Sequence, residues 1–312
     1  MNDFIILSDS TCELSKETLK DFDIVCLNAH FKDKDGTDKV SFSDWSDCDY
    51  YTSQEFYKEL KNNPSSFSTA APSTVEIKDA YRKYLSEGKD ILVLSLSSVM
   101  SGTFNLYTLA KNEILQEFPN AKIEIVDTLR FGGGIGVILV NASILRSEGK
   151  TIDEIASFVK ENITSFHQMG WLDDLSFVAK KGRITHAAAF FGQLIGIKPL
   201  GESDQNGLTT ILGKAKGEKN AYNAILEYIE KTIINPSEQV ILVNHTVRLK
   251  QAQELKRLII EKFNPKNVYI NECGPSVGIN CGPGLMCAYY MGTKASENLV
   301  KEKELMESIL SK

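Results

Sequence analysis

Short apolar runs alternate with amphipathic segments through the first half of the chain. Four consecutive apolar residues occur at 4–7, 24–27 and 91–94, and each run predicts a strand. A further strand is predicted at 123–126. The apolar residues of 77–85 recur at the i, i+3, i+4 spacing of one helix face. Strands that alternate with helices in this way predict a parallel sheet covered by helices.

Two helix starts are marked by local chemistry. Ser73 with Glu76, and Thr151 with Glu154, have the spacing of a capping box, in which each side chain accepts a hydrogen bond from the other residue's backbone. The second of these helices leads into the second half of the chain. Because 312 residues suffice for two domains, we place the boundary between them near residue 160.

The second half has a less regular pattern. Apolar segments at 197–200 and 208–212 flank a polar turn and predict paired strands, and 276–279 predicts another strand. Amphipathic spacing over 218–233 and 249–263 predicts two helices. This half is therefore expected to be a second α/β domain.

Composition and charge exclude several functions. The 35 basic and 41 acidic residues give a formal charge of −6, and no basic cluster offers a footprint for nucleic acid. None of the six cysteines forms a C-x-x-C pair, so a metal or redox motif is not expected. The longest apolar stretch, 132–145, is too short to span a bilayer, and no stable membrane insertion is expected. Because 1–4 lacks the basic start of a signal peptide, we expect a cytoplasmic protein with free thiols.

Two turns rich in Ser and Thr, at 68–73 and 97–103, are the most informative polar features. Each precedes a helical pattern, and the second also follows a predicted strand. In parallel α/β sheets, ligands bind at the carboxyl ends of strands. Hydroxyls and the free N–H groups of a helix start can bind a carboxylate or phosphate. The alternative is that Thr69 and Ser101 only cap helices, where Ser and Thr are preferred.

Other polar residues carry weaker predictions. His245 ends a predicted strand, where a catalytic base is possible. Asp9 and Asp127 also end predicted strands, where a metal site or a carboxylate pair is possible, but Asx turns are the favoured explanation for both. Structural or solvent-facing roles are expected for the histidines, which are His30, His167, His186 and His245. The triple glycine at 132–134 does not fit a dinucleotide site and no P-loop occurs, so neither a nucleotide nor another cofactor is predicted.

Seven short motifs in order along the chain resemble those of one family, the DegV-type bacterial proteins, which are the fatty-acid-binding subunits of fatty acid kinase. The motifs are Leu7-Ser8-Asp9-Ser10, Ser68-Thr69-Ala70-Ala71-Pro72-Ser73, Ser97-Ser98-Val99-Met100-Ser101-Gly102-Thr103, Val126-Asp127-Thr128, Lys180-Lys181-Gly182-Arg183-Ile184, Ile197-Lys198-Pro199 and Gly282-Pro283-Gly284. Each motif alone is weak, but their shared order is specific.

The resemblance implies a DegV-like α/β fold of two domains, with a parallel sheet in 1–160 and a mixed sheet in 161–312, whose last segment returns to a lipid site between them. It implies a buried long-chain fatty acid such as palmitate, whose carboxylate is bound by Thr69, Ser101 and Ser98. It further implies that Arg183 and Asn280 contact the head group or the kinase. By the same resemblance, a separate ATP-dependent kinase subunit is expected to phosphorylate the carboxylate, and the chain itself is expected to be a carrier without its own catalysis.

The chain departs from the family pattern at several polar positions. Ala70 and Ala71 stand where the family commonly has Ser and Gln, Asn280 where it has His, and Lys216 where it has Arg. These changes alter the polar shell around the implied head group.

Two other functions stay open at this point. One is a transferase or hydrolase acting on a small carboxylated or phosphorylated substrate at the same strand ends, with His245 or Asp127 as base. The other is a regulatory protein in which the lipid is only structural. An apolar cavity lining distinguishes a lipid carrier from such an enzyme.

Overall fold

A computed structural model of the protein describes residues 3–184 and 196–312. His186, expected to have a structural role, lies outside the described residues. The strands are β1 (Phe4–Asp9), β2 (Ile24–Leu27), β3 (Ala29–Lys32), β4 (Asp38–Ser41), β5 (Ser68–Ala70), β6 (Asp90–Ser95), β7 (Ile123–Asp127), β8 (Phe166–Leu172), β9 (Ile197–Ser203), β10 (Thr209–Lys216), β11 (Val240–His245), β12 (Asn267–Glu272) and β13 (Leu285–Met291). The α-helices are α1 (Lys16–Asp21), α2 (Ser53–Asn62), α3 (Thr74–Ser86), α4 (Thr103–Ile114), α5 (Gly133–Ser147), α6 (Ile152–Asn162), α7 (Ser176–Lys180), α8 (Gly217–Thr232), α9 (Leu249–Phe263), α10 (Pro275–Cys281) and α11 (Val300–Leu310).

The first sheet is parallel, with the strand order β2-β1-β6-β7, as the sequence predicts. Alternate residues of its strands face opposite layers. Ile5 and Leu7 pack with α3 and α4, whereas Ile6 packs with α5 and α6. Both faces are therefore covered, which explains the continuous apolar runs of β1 and β6.

Both predicted capping boxes are present. The Ser73 hydroxyl accepts a hydrogen bond from the Glu76 amide at 3.2 Å, and the Glu76 carboxylate accepts one from the Ser73 amide at 2.8 Å. Thr151 and Glu154 form the same pair of bonds at the start of α6. Local sequence thus determines where these helices begin.

The second sheet is mixed, with the order β10-β9-β8-β13-β11-β12. Only β11 and β12 run parallel to each other, and the other neighbours are antiparallel. One face packs on α8, α9 and α11. The two sheets are joined by α5, which packs against strands of both and is buried along Ile135–Val140. A helix that is apolar all round is typical of such a central position.

The triple glycine begins α5 where the backbone passes close to β13. A Cβ atom on Gly133 would overlap the ring of Tyr289, and Gly132 has a φ of 54°. Close packing of the chain at the start of α5 therefore accounts for the glycines at these positions.

A third, small antiparallel sheet has the strand order β4-β3-β5. It encloses an aromatic cluster in which Phe31, Phe56 and Phe67 contact Phe177 of α7 and Ile279 of α10. This cluster brings β5, which carries Thr69, against the second half of the chain.

The prediction of a strand at 276–279 is wrong, because these residues lie in α10. Pro275 occupies the first turn of this helix, where its fixed φ is favourable, and the Glu13 carboxylate accepts a hydrogen bond from the Gly274 amide at 2.5 Å. Within the described residues, no helix combines the length and the apolar character needed to cross a membrane.

Candidate functional site

A cavity of about 510 Å³ lies between the second sheet and the turns that end β5 and β6. Its volume is within the roughly 300–1,000 Å³ typical of small-molecule sites. The remaining walls come from α7 and α10. Elements from both halves of the chain therefore enclose it.

The sheet wall of the cavity is built by strand alternation. Along β13, Leu285, Cys287 and Tyr289 line the cavity, whereas the intervening Met286 and Ala288 pack into the core with α8. Along β8, β9 and β10 the cavity residues that follow this alternation are Gln168, Gly170, Leu172, Pro199, Gly201, Thr209 and Ile211. Trp171 of β8 also contributes to the lining and is the exception. Most of this wall is apolar.

Two glycines in this wall lie where a side chain would be crowded, and a Cβ atom on Gly170 would lie 2.2 Å from the Met286 carbonyl oxygen of β13. Gly170 and Gly201 are paired across β8 and β9. A Cβ atom on Gly201 would lie 3.1 Å from Cγ2 of Thr209 and 3.3 Å from Cδ1 of Ile211, both in the cavity wall. A larger side chain at this position therefore has to displace its neighbours or enter the cavity.

The opposite wall carries hydroxyl groups. Thr69 of β5 and Ser98 and Ser101 of the β6–α4 loop all line the cavity. The Ser101 hydroxyl is 2.8 Å from that of Thr103 and accepts a hydrogen bond from the Thr103 amide at 3.3 Å, at the start of α4. Ser101 thus combines a helix-start role with a place at the cavity, so the two interpretations of this turn are compatible.

Arg183 lies on the same side of the cavity and links the two halves of the chain by hydrogen bonds. Its guanidinium donates to the carbonyl oxygens of Lys181 and Met100, the latter at 3.2 Å. The Lys181 ammonium donates to the Phe67 carbonyl at 3.2 Å, and burial, with the nearby charge of Arg183, lowers the pKa of Lys181. The loop that follows α7 is therefore bound to the β6–α4 loop and to the residue that precedes β5.

Asn280 lies in the last turn of α10 and lines the cavity. Its side-chain amide donates to the Ser276 carbonyl at 2.8 Å. All five residues that the sequence singles out, which are Thr69, Ser98, Ser101, Arg183 and Asn280, line one cavity.

The candidate bases lie elsewhere. His245 is buried outside the cavity lining, and burial lowers its pKa to about 4, which keeps it neutral. Asp9 and Asp127 accept hydrogen bonds from the amides of Thr11 and Leu129, two residues on, as in Asx turns. Burial raises the pKa of Asp9. The described lining contains no His, Asp, Glu or Lys.

No group of three or more His, Cys, Asp or Glu side chains in the described ranges is placed to hold a metal ion.

Sequence reasoning missed one buried residue that supports the site. The Arg130 guanidinium donates to the carbonyl oxygens of Ile163 at 2.7 Å, Phe166 at 3.0 Å, Leu129 at 2.8 Å and Asp204 at 3.3 Å. Burial lowers its pKa to about 10. It fixes the turn before α5 to the second sheet, next to the cavity residue Phe131. In the sequence, the position of Arg130 almost directly before the apolar stretch 132–145 is the feature that points to it.

The family model described as "Uncharacterised protein, DegV family" matches residues 3–292. A DegV domain-containing protein of Clostridium perfringens is 32% identical over 292 residues, which cover 94% of this chain and 98% of that protein. Two crystal structures share the fold. A DegV lipid-binding protein from Thermotoga maritima has a TM-score of 0.80 at 24% identity, with 94% of this chain and 99% of that chain covered. The fatty acid kinase B3 protein of Streptococcus pneumoniae, loaded with linoleic acid, has a TM-score of 0.75 at 18% identity, with 93% and 99% covered. This chain therefore belongs to the DegV family.

Proposed function

We propose that this protein binds a long-chain fatty acid in the cavity and presents its carboxylate to a separate ATP-dependent kinase subunit, which forms the acyl phosphate. One observation carries the proposal: one cavity joins an apolar sheet face to a wall of hydroxyl groups, and its described lining contains no His, Asp, Glu or Lys. This arrangement suits a ligand with a long apolar tail and a small acidic head.

The named relatives support the same ligand class. The Streptococcus pneumoniae structure holds linoleic acid, and the Thermotoga maritima protein is a lipid-binding protein. The Streptococcus pneumoniae protein is also a component of a fatty acid kinase, which supports a kinase partner for this chain.

The tail dominates the expected affinity. A sixteen-carbon acid buries about 15 carbons beyond its carboxyl group, worth roughly 12 kcal/mol at about 0.8 kcal/mol each, before the costs of ordering. Thr69, Ser98 and Ser101 then serve to orient the carboxylate. Charge-assisted hydrogen bonds from hydroxyls keep a buried carboxylate ionised, as phosphoryl transfer to it requires.

We assign Arg183 and Asn280 to the rim of the head-group site, as contacts to the carboxylate or to the kinase. The site lies between the proposed domains 1–160 and 161–312, with α10 returning to the first of them. We expect the protein to act in the cytoplasm, where its six free cysteines stay reduced. The chain acts as a carrier, and the kinase subunit supplies the catalysis.

Denaturing extraction of the purified protein, followed by mass spectrometry, tests the ligand. Near-stoichiometric fatty acid is the expected result, and its identity reports the preferred chain. A protein that carries no fatty acid and takes up none when it is added overturns the proposal.

Substitution of Ser101 tests presentation separately from binding. Because the tail supplies most of the affinity, Ser101→Ala should keep its lipid and lower acyl-phosphate formation with the kinase. The exposed Ser86 at the end of α3 provides a control, since Ser86→Ala removes a hydroxyl far from the cavity. Loss of lipid with unchanged turnover per bound lipid contradicts the assigned role.

A further inference from the structure

One row of residues across the sheet wall of the cavity is polar. Tyr289 of β13 is paired with Gln168 of β8, and Thr209 of β10 is paired with Ser203 of β9. The register of the two wall glycines extends along β8 and β9 and places Gln168 opposite Ser203. Three members of this row, Tyr289, Gln168 and Thr209, line the cavity. The row is therefore a polar strip in a wall that is otherwise mostly apolar.

The side-chain amide of Gln168 has an acceptor that the fold does not use. The residue is 6% exposed, and its Nε2 donates to the Thr209 hydroxyl at 3.2 Å. Its Oε1 accepts no hydrogen bond from any described residue. Among the described residues, the unpartnered polar atoms that are completely enclosed include Ser203 Oγ but not this oxygen. Oε1 of Gln168 therefore keeps an accessible surface.

This surface opens onto the cavity. Because β8 lies between β9 and β13, its side chains can point only to the two sides of the sheet. On one side Met169 packs into the core with α8, and on the other side Gln168 and Leu172 line the cavity. A purely apolar tail would leave the Gln168 oxygen without a partner, which is unfavourable for a buried polar group.

The chemistry of the amide determines which ligand group fits beside it. A carboxylate has only acceptor atoms, so it cannot bond to the amide oxygen, and we place it at the hydroxyl wall. An alcohol both donates and accepts, so it can pair with the amide in either orientation of the Gln168 side chain. A hydroxyl group on the ligand tail is therefore the complement of this position.

We propose that the ligand is a long-chain fatty acid with a hydroxyl group on its tail, and that Gln168 recognises this hydroxyl through Oε1. The inference rests on the proposed function and deepens it, because it names the class of fatty acid. Thr209 holds the amide in position through its bond to Nε2. The carboxylate and the tail hydroxyl are then bound at different walls of one cavity.

Gln168→Met tests the proposal on delipidated protein, with stearate and a series of monohydroxystearates that differ in the carbon bearing the hydroxyl. Methionine is similarly long and flexible, but its thioether is only a weak acceptor. In the wild type, the isomer whose hydroxyl reaches Gln168 should bind at least as tightly as stearate, although this hydroxyl loses its hydrogen bonds to water. The substitution should weaken that isomer about tenfold and leave stearate unchanged or more tightly bound. Displacement of a fluorescent fatty acid measures the dissociation constants.

Control variants separate recognition of the hydroxyl from a general effect on the cavity. Gln54→Met makes the same change at an exposed position of α2 and should alter none of the affinities. Gln168→Leu is a second apolar replacement and should give the same selective loss. Equal changes for stearate and every hydroxystearate, or a wild-type protein that binds every hydroxystearate more weakly than stearate, overturn the role of Gln168. If the wild-type protein binds none of these acids, the proposed function itself fails.

Discussion

His167 and Glu202 form a buried ion pair whose protonation can be deduced from geometry. The Nδ1 atom of His167 lies 2.7 Å from a carboxylate oxygen of Glu202, and its Nε2 lies 2.7 Å from the Thr293 carbonyl oxygen. Both neighbours are acceptors, and a neutral imidazole can donate from only one nitrogen. His167 is therefore an imidazolium, although it is only 1% exposed.

The other carboxylate contacts explain how the charge is tolerated. Glu202 also accepts hydrogen bonds from the amides of Gln168 at 2.8 Å and Ser203 at 2.7 Å, and from the Tyr228 hydroxyl at 3.2 Å. Burial lowers the pKa of His167, but the charge and hydrogen bond of Glu202 outweigh this effect and leave the pKa raised. The pair links β8 to β9, the strands that carry the two glycines of the cavity wall.

The raised pKa makes stability depend on pH in a defined direction. The unfolded histidine titrates near pH 6.5, and the folded one at a higher pH. The stabilisation from this pair is fully present below about pH 6.5 and is lost as the pH rises through the folded pKa. Where the two states differ by one bound proton, the free energy of unfolding falls by about 1.4 kcal/mol per pH unit.

Two substitutions of Glu202 separate the charge from the hydrogen bonds. Glu202→Leu leaves an unpaired buried imidazolium and two amides without acceptors, and should cost about 3–5 kcal/mol. Glu202→Gln keeps an acceptor for both amides and offers an N–H to a neutral His167, so the loss should be about 1 kcal/mol.

Urea unfolding of the wild type and Glu202→Gln from pH 6 to pH 9 measures the effect. The wild-type curve should fall with pH relative to the Glu202→Gln curve. His30→Gln is the control, since His30 is more exposed and bonds Glu76 through one ring nitrogen, Nε2. Parallel curves for the wild type and Glu202→Gln would refute the imidazolium assignment.

Three further outcomes follow from single contacts. Arg130→Met removes the donor to four carbonyl oxygens and should lower the free energy of unfolding in urea by roughly 3 kcal/mol. Arg130→Lys should not restore this stability, because one ammonium group cannot reach all four oxygens. Gly201→Val fills space at the cavity wall and should weaken the binding of stearate more than that of dodecanoate. The difference should be about 2 kcal/mol if the valine displaces two or three methylenes of the longer acid. Equal changes in the two affinities in a competition assay would contradict this. Ser73→Ala breaks the capping box of α3 and should cost about 1 kcal/mol, with ligand affinity unchanged, as measured by thermal unfolding and fatty-acid titration.

Local chemistry made the first sheet and its helices predictable. The strand β6 is indicated by its own apolar run, and the start of α3 by Ser73 and Glu76, so each prediction depends on residues only a few positions apart. By contrast, α10 has an alternating pattern typical of a strand, and its helix depends on Glu13, far away in sequence. Similarly, β8 was not predicted, because its His167 and Gln168 look like surface residues until Glu202 and Thr209 are seen to pair with them.

The hydroxyl side of the cavity could be predicted, but its apolar side could not. Ser98 and Ser101 stand in the loop between β6 and α4, and Thr69 lies in the short strand β5 shortly before α3, so the sequence indicates their position by the helix pattern that follows each of them. Leu285 and Met286 are adjacent apolar residues on β13, and only the first lines the cavity. Met286 faces the side of the sheet that α8 covers, whereas Leu285 faces the other side. Which side α8 covers depends on the whole second half of the chain. The apolar residues of the cavity wall are therefore those that the sequence distinguishes least from ordinary core, whereas the residues that we propose to orient the carboxylate are those it marks most clearly.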